Sequence, residues 1–414
     1  MLSTISTPGK CVAGRYSSHE PRHPPSSPSR NPGRPTVHQE GRLTMLSVFC
    51  SPARYTQGKD ATAALGAEMT AIGLEGPALI VASRRIAGLL GTTWKSSLAA
   101  ANIAYGVHHF TGECSSAEIG QVKERARDLS ARTIIGAGGG KVLDTARAAA
   151  SDLCLPIVNC PTIASSDAPC SALSVVYSDE GVFEEYRIYP QNPDLVLVDT
   201  AVVAQAPARL LSAGMGDALA TWFEARTCAA GSVRNMRGGA STRSALGLAE
   251  LCYRTLLADG TEALAAVAGN SVTPALERLV EANTLLSGLG FESAGLAAAH
   301  AVHNGLTVAP ETHDYYHGEK VAFGTLVQLV LEGAPRETVA EVLTFSRSVN
   351  LPITLEAIGL GDVSRERLAP IAGRATAPGE TIHNEPFEVG PENVVDAILT
   401  ADAIGRDFML GARQ

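Results

Sequence analysis

The stretch Thr133–Ile–Ile–Gly–Ala–Gly–Gly–Gly–Lys–Val–Leu–Asp144 passes from a β-branched run through clustered glycines into residues that suit a helix. Strand, glycine turn and helix in that order open a βαβ unit. Glycines at such a turn let backbone N–H groups approach a pyrophosphate, and the following helix aims its positive end at it. Neither of the two best-known phosphate motifs fits. A GxGxxG reading from Gly136 meets Lys141 at its third glycine, and a Walker A needs one more spacer residue before Gly–Lys and a hydroxyl at Val142. A glycine run between strand and helix is also compatible with a plain tight turn.

Working outward, Ala78–Ala82, Pro156–Asn159 and Leu195–Val198 are further short apolar runs, separated by Ala-rich stretches between Met45 and about Thr200. That alternation predicts an α/β half on a mostly parallel sheet. Ser174–Tyr177 and Tyr186–Tyr189 flank Ser–Asp–Glu–Gly181 and read as a β-hairpin, the glycine supplying the left-handed position. Beyond Pro207 the β pattern fades into long segments with helical spacing, Ser244–Leu257 and Ser293–Val302 among them, so the second half is expected to be all helical. The boundaries expected are 45–205 for an α/β dinucleotide-binding domain and 206–414 for a helical, metal-binding catalytic domain. Residues 1–44, rich in Ser, Pro and Arg and poor in aliphatics, read as a disordered extension, with Met45 the start of globular sequence.

The 414 residues carry a formal net charge of −9, which gives no attraction for a nucleic-acid polyanion. No apolar run approaches the ~20 residues that cross a bilayer. The eight cysteines are scattered, without the spacing of a zinc ribbon or disulfide framework, as expected of reduced thiols in a cytoplasmic protein.

In the helical half, Asp217 starts an apolar helical segment, where a carboxylate serves either as a first-turn cap or as a ligand. His300 and His303 stand one turn apart on an Ala-rich helix, and His313 and His317 follow. Four of the ten histidines thus fall within Ala299–Gly318. Two imidazoles and a carboxylate with open positions suit Zn²⁺ as a Lewis acid, and the same atoms accept Fe²⁺.

These motifs occur together with Pro161–Thr162, Ala164–Ser–Ser–Asp167–Ala–Pro169, Ser171–Ala–Leu–Ser–Val–Val–Tyr177, Asn192–Pro–Asp–Leu–Val–Leu–Val–Asp–Thr200, Gly216–Asp217–Ala–Leu–Ala–Thr–Trp222, Phe291–Glu–Ser–Ala–Gly–Leu–Ala–Ala–Ala–His300 and His317–Gly–Glu–Lys–Val–Ala322. In order and spacing, from Met45 onward, the chain resembles the glycerol dehydrogenase family, a zinc-dependent branch of the iron-containing alcohol dehydrogenases. The resemblance implies a nucleotide domain, a helical metal domain and catalysis between them. It implies Asp217, His300 and His317 as metal ligands that also meet substrate, and Asp167 as the substrate-binding carboxylate. It further implies Gly138, Gly139, Gly140, Lys141, Asp144, Thr162, Ser165, Ser171, Leu173 and Tyr177 as cofactor contacts, and a homo-oligomer, octameric in the family. Iron-dependent relatives place a further His four residues after the Asp; here that residue is Thr221.

The chemistry implied is oxidation of glycerol, and of related 1,2-diols, to the ketone, with NAD as hydride acceptor. His303 is expected either to relay the departing proton or to orient the metal ligands. Where the family usually holds Asp after the first strand, this chain has Ser83 followed by Arg84 and Arg85, which keeps NADP open beside NAD. Enzymes of similar build that act on phosphorylated or carboxylated substrates would want cationic residues near the metal motifs. Between His300 and His317 there is none before Lys320.

Overall fold

Strand β4, Thr133–Gly138, is buried along its whole length, so both of its faces must be covered. The computed structural model, which describes residues 45–179, 183–361 and 363–411, shows how. The expectation for residues 1–44 lies outside the described residues. With β1 (Tyr55–Gly58), β2 (Ala78–Ala82), β3 (Tyr105–His109), β5 (Ile157–Pro161) and β8 (Leu195–Asp199), β4 forms a sheet in the order β1-β8-β5-β4-β2-β3. Every neighbouring pair is parallel.

Alternation along β2 sends Ile80 and Ala82 to one face and Leu79 and Val81 to the other. The first set packs under α1 (Leu65–Ala71) and α2 (Arg84–Ala100) through Leu65, Met69, Trp94 and Leu98. The second packs under α3 (Ser116–Asp128) and α4 (Gly140–Leu153) through Ile119, Val122 and Ala146. The expected hairpin is present as β6 (Leu173–Tyr177) paired antiparallel with β7 (Phe183–Ile188), which begins three residues before the expected Tyr186, apart from the main sheet, and the expected turn glycine Gly181 lies outside the described residues.

After the short α5 (Thr200–Val203), no strand occurs among the described residues. Helices α6 (Ala208–Gly231), α7 (Arg243–Ala268), α8 (Pro274–Glu281), α10 (Ala298–Leu306), α11 (His317–Leu331), α12 (Arg336–Ser348), α13 (Arg365–Ala375) and α14 (Pro391–Gly411) share one large apolar core, while α9 (Ser287–Ala294) packs through Ala294 on Ala225, Ala245 and Ala249 of α6 and α7. That core also takes in Val196 and Val198 of β8, so sheet and helices belong to one compact unit, Ser47–Gln414. No single helix among the described residues is long and apolar enough to cross a membrane.

One expected helix is corrected. Ser293–Val302 is not continuous: α9 ends at Ala294, Gly295 adopts φ 116°, and the chain bends by 103° before α10 begins. Helical spacing alone missed this because the alanines on both sides suit a helix, whereas the break needs only one glycine in a region closed to other residues.

Candidate metal and cofactor site

Helix α6 is buried without interruption from Leu211 to Thr221, which carries Asp217 into the protein interior. An ionised carboxylate there requires partners. It has two imidazoles: His317 Nε2 lies 3.0 Å and His300 Nε2 3.4 Å from Asp217 Oδ1. Donor atoms of Asp217, His300 and His317 all fall within 4.8 Å of one another. Burial alone would push the Asp217 carboxyl up, but His317 and His300 outweigh it and hold it far below the usual carboxylate range. Its other oxygen, Oδ2, accepts the backbone N–H of Asp167 at 3.2 Å. One carboxylate and two imidazoles converging on one point match the donor preferences of zinc, so the residues present fit the ion that the resemblance implies.

His317 is the first residue of α11, and Glu319 steadies that start by accepting from Tyr316 N at 2.8 Å. Its Nδ1 faces His303 Nε2 at 3.0 Å, and His303 Nδ1 in turn contacts Asn304 Oδ1 at 3.2 Å. His303 therefore sits behind the imidazole of His317 rather than among the converging donors. His313 points elsewhere, its Nε2 meeting the carbonyl of Thr307 at 3.0 Å.

Asp167 lies in the loop after β5, and burial, then the charge of Asp217, push its carboxyl well above the usual range. Ser287 Oγ donates to its Oδ2 at 3.0 Å, and the same hydroxyl is 2.8 Å from Thr221 Oγ1. Ser287 follows the π-helical turn Ala282–Leu286, and such a turn re-aims the residues after it, here toward Asp167. Thr221, where iron-dependent relatives have a ligand histidine, thus belongs to the chain of hydroxyls behind Asp167.

The cofactor candidates gather at the carboxyl ends of the central strands, where α/β sheets bind nucleotides. Gly138 ends β4, Gly139 precedes α4, and no side chain caps that helix start, so its first amides stay open to an anion. A Cβ on Gly138 would lie 2.7 Å from Val142 and one on Gly139 2.8 Å from Ile163, whereas one on Gly140 would meet nothing within 4 Å. The tight side of the turn faces protein and the open side faces away, as a pyrophosphate cradle requires. Lys141 Nζ pairs with Glu113 at 2.5 Å.

Thr162 N donates to Gly138 O at 3.0 Å, and Ser171 Oγ to Ala168 O at 3.3 Å. Ser165 is half-buried in the same loop. Leu173 and Tyr177 begin and end β6. Ser83 Oγ accepts from Ile86 N at 3.3 Å, capping α2, and Arg84 and Arg85 open that helix exposed. Asp144 is turned inward. It pairs with the buried Arg147 at 2.8 Å and accepts from Val175 N at 3.1 Å, so it fastens the hairpin to α4.

Helix α10 starts without a cap of its own, because Ala297 has no polar side chain. Glu224 Oε1 accepts from Ala297 N at 2.8 Å and His300 N at 3.0 Å, Gln328 Oε1 from Ala299 N at 2.9 Å, and Glu385 Oε1 from Ala298 N at 3.2 Å. The sequence reading missed Glu224, although it stands seven residues after Asp217, two helical turns along the same face.

Burial, then the charges of Glu332 and Glu224, push the Glu385 carboxyl up to about 8, against the opposing Ala298 amide and Arg226. An unfolded glutamate ionises near pH ~4.3, so between there and pH 8 the folded state alone holds the proton. Stability then falls as pH rises through that window, by up to about 1.4 kcal/mol per unit. Glu385→Gln keeps the acceptor and removes the proton. It is expected to raise the melting temperature by several degrees at pH 9 and to change it little at pH 4, as calorimetry at the two pH values would show.

Comparison with known proteins agrees with this architecture. Residues 52–200 match the family described as iron-containing alcohol dehydrogenase. The chain is 51% identical to a glycerol dehydrogenase of Citrobacter freundii, over 88% of this chain and 100% of the relative. It is 49% identical to a glycolaldehyde reductase of Halobacterium salinarum, over 87% and 99%. The crystal structure of glycerol dehydrogenase from Schizosaccharomyces pombe superposes with a TM-score of 0.86 at 37% identity, covering 89% of this chain and 93% of that one. With 51% identity across the full length of such a relative, the chain belongs to the iron-containing alcohol dehydrogenase family.

Proposed function

We propose that this protein is an NAD-dependent glycerol dehydrogenase that oxidises glycerol to dihydroxyacetone and accepts related 1,2-diols, with zinc held by Asp217, His300 and His317. The observation that carries the proposal is the convergence of those three donor sets within 4.8 Å beside the buried carboxyl of Asp167. When bound, zinc supplies Lewis acidity that lets a secondary alcohol lose its proton near neutral pH, and the nicotinamide supplies the hydride acceptor.

The chain's own residues do the rest. Open amides at the start of α4 receive the pyrophosphate. Asp167, steadied by Ser287, hydrogen-bonds the polyol and orients its reacting carbon. His303, facing His317 Nδ1, holds that imidazole in place, which favours an orienting role over a proton relay. The division into 45–205 for nucleotide and 206–414 for metal follows the same assignment, as does a cytoplasmic homo-oligomer of the family's octameric form. The seven free cysteines of the described residues suit that compartment.

The test is the initial rate of glycerol oxidation by protein starting at Met45, with NAD and NADP in parallel, before and after chelation and zinc return. Reduction of glycolaldehyde, measured alongside, separates a polyol enzyme from one built for the shorter aldehyde. Activity that is lost to chelator and restored by zinc supports the proposal, and absence of turnover despite bound zinc refutes it.

Asp167→Asn is expected to lower kcat by about 100-fold, since misplacing a reactant costs that much, with a smaller change in KM. Its melting temperature should hold or rise, because a buried carboxyl beside Asp217 is relieved of like charge. Equal losses in kcat and stability would assign Asp167 to folding instead. At the adenosine end, Ser83→Asp is expected to shift preference toward NAD by about tenfold, the worth of one charge-assisted hydrogen bond. An unchanged NAD to NADP ratio of kcat/KM would place the ribose elsewhere.

A further inference from the structure

Glu224 is fully buried, and its hydrogen-bond partners are two backbone amides and an imidazole. Its Oε1 takes two backbone N–H groups of the α10 start, while its Oε2 lies 2.6 Å from His300 Nδ1. A carboxylate offers only acceptors, so the imidazole nitrogen facing its second oxygen carries the proton. A neutral imidazole protonated at Nδ1 has its lone pair on Nε2, the atom turned toward Asp217. No other carboxylate among the described residues lies within hydrogen-bonding distance of that Nδ1.

We propose that Glu224 is the positioning residue of the metal centre: one oxygen anchors the helix that bears His300, and the other fixes the imidazole with Nε2 free to ligate. The inference rests on the zinc reading above. It assigns to one buried side chain both the place and the tautomer of a ligand. His317 lacks an equivalent carboxylate, since its Nδ1 faces His303, so the two imidazoles are held by different chemistry.

Glu224→Gln separates the two tasks. The amide oxygen still receives the backbone donors, but the amide nitrogen then faces His300 Nδ1, which must become an acceptor and move its proton to Nε2. Zinc affinity, measured by competition with a chelator on the full-length protein, is expected to fall ~10–100-fold, with faster metal release. Gln328→Met serves as the comparison: it removes the acceptor for Ala299 N without touching the imidazole, and should lower the melting temperature while leaving zinc affinity where it was.

A Glu224→Gln protein that holds zinc as tightly as the unaltered one overturns the inference, as does equal loosening by Gln328→Met. If the unaltered protein binds no zinc that Asp217→Asn abolishes, the zinc reading itself fails and the inference falls with it. Should Glu224→Gln not fold, neutron diffraction from the zinc-loaded enzyme decides: a deuteron on His300 Nδ1 aimed at Glu224 supports the proposal, and a bare or ligating Nδ1 refutes it.

Discussion

Asp217→Asn is expected to reduce glycerol oxidation by more than ~100-fold, beyond the ~10–100-fold typical of losing an outer partner of a metal ligand. The substitution is nearly isosteric, so its effect is one of charge and donor direction. Asparagine cannot offer an anionic oxygen to an ion and also an acceptor to Asp167 N, because one end of its amide is a donor. The two imidazoles would then converge on a neutral group, and Asp167 would lose the contact that ties its loop to α6. The decisive readout is thermal. Unaltered protein should melt higher as zinc is added, by the mass-action stabilisation of any ligand that binds only the folded state. The Asn variant should show no such rise. A persisting zinc-dependent shift would put the ion elsewhere in the molecule.

Gly318→Ala should be nearly as damaging, through packing alone. A Cβ on Gly318 would lie 1.8 Å from the carbonyl oxygen of Ala213 and 3.0 Å from Asp217 N, and one on Gly216 would lie 2.2 Å from Gly318 O. Helices α6 and α11 therefore meet backbone to backbone, and the two glycines at their contact are direct neighbours of Asp217 and His317. Backbone atoms cannot swing aside as a flexible side chain can. An added methyl must separate the helices, at the ~1–3 kcal/mol or more typical of overpacking. Separation by about 1 Å also spreads the ligands, and a misplacement of that size costs about 100-fold in rate. Loss of rate and lowered melting temperature are expected together, checked by kinetics and differential scanning fluorimetry. Gly247→Ala in α7, where a Cβ meets nothing within 4 Å, should be neutral or slightly stabilising. A Gly318→Ala protein that matches it would refute the close approach.

Particular residues show why some of this was legible in the sequence and some was not. The central strands announce themselves, because burial on both faces demands the continuous apolar runs seen at Ala78–Ala82 and Leu195–Val198. Strands β1 and β3 went unread because they are the two edges of the sheet: half-buried, they tolerate Thr56, Gln57 and paired histidines, and their pairing is decided by neighbours far along the chain. The three candidate ligands stood out as polar residues in apolar or Ala-rich helical surroundings, and the structure brings them together. Glu224 did not stand out, since a glutamate in a helix is ordinary until the fold buries it against a histidine 76 residues away. Asp144 illustrates the converse: its place in the glycine motif suggested the cofactor, while its contacts are with Arg147 and the hairpin.

The start of α10 carries a consequence for the order in which the molecule assembles. A nine-residue helix is too short to persist by itself, and its first amides find acceptors at sequence separations of 73, 87 and 29 residues. Such contacts are costly in loop-closure entropy and form late. Helices α6 and α11 and the turn before Glu385 must all be in place before His300 has a frame. The ion is therefore a late arrival rather than a nucleus, unlike the metal of a zinc finger, which drives folding outright. In hydrogen exchange during refolding, the amides of Ala298, Ala299 and His300 should gain protection after the core of α6 and α7 with or without zinc, and only the last opening motions of α10 should slow when the ion is added.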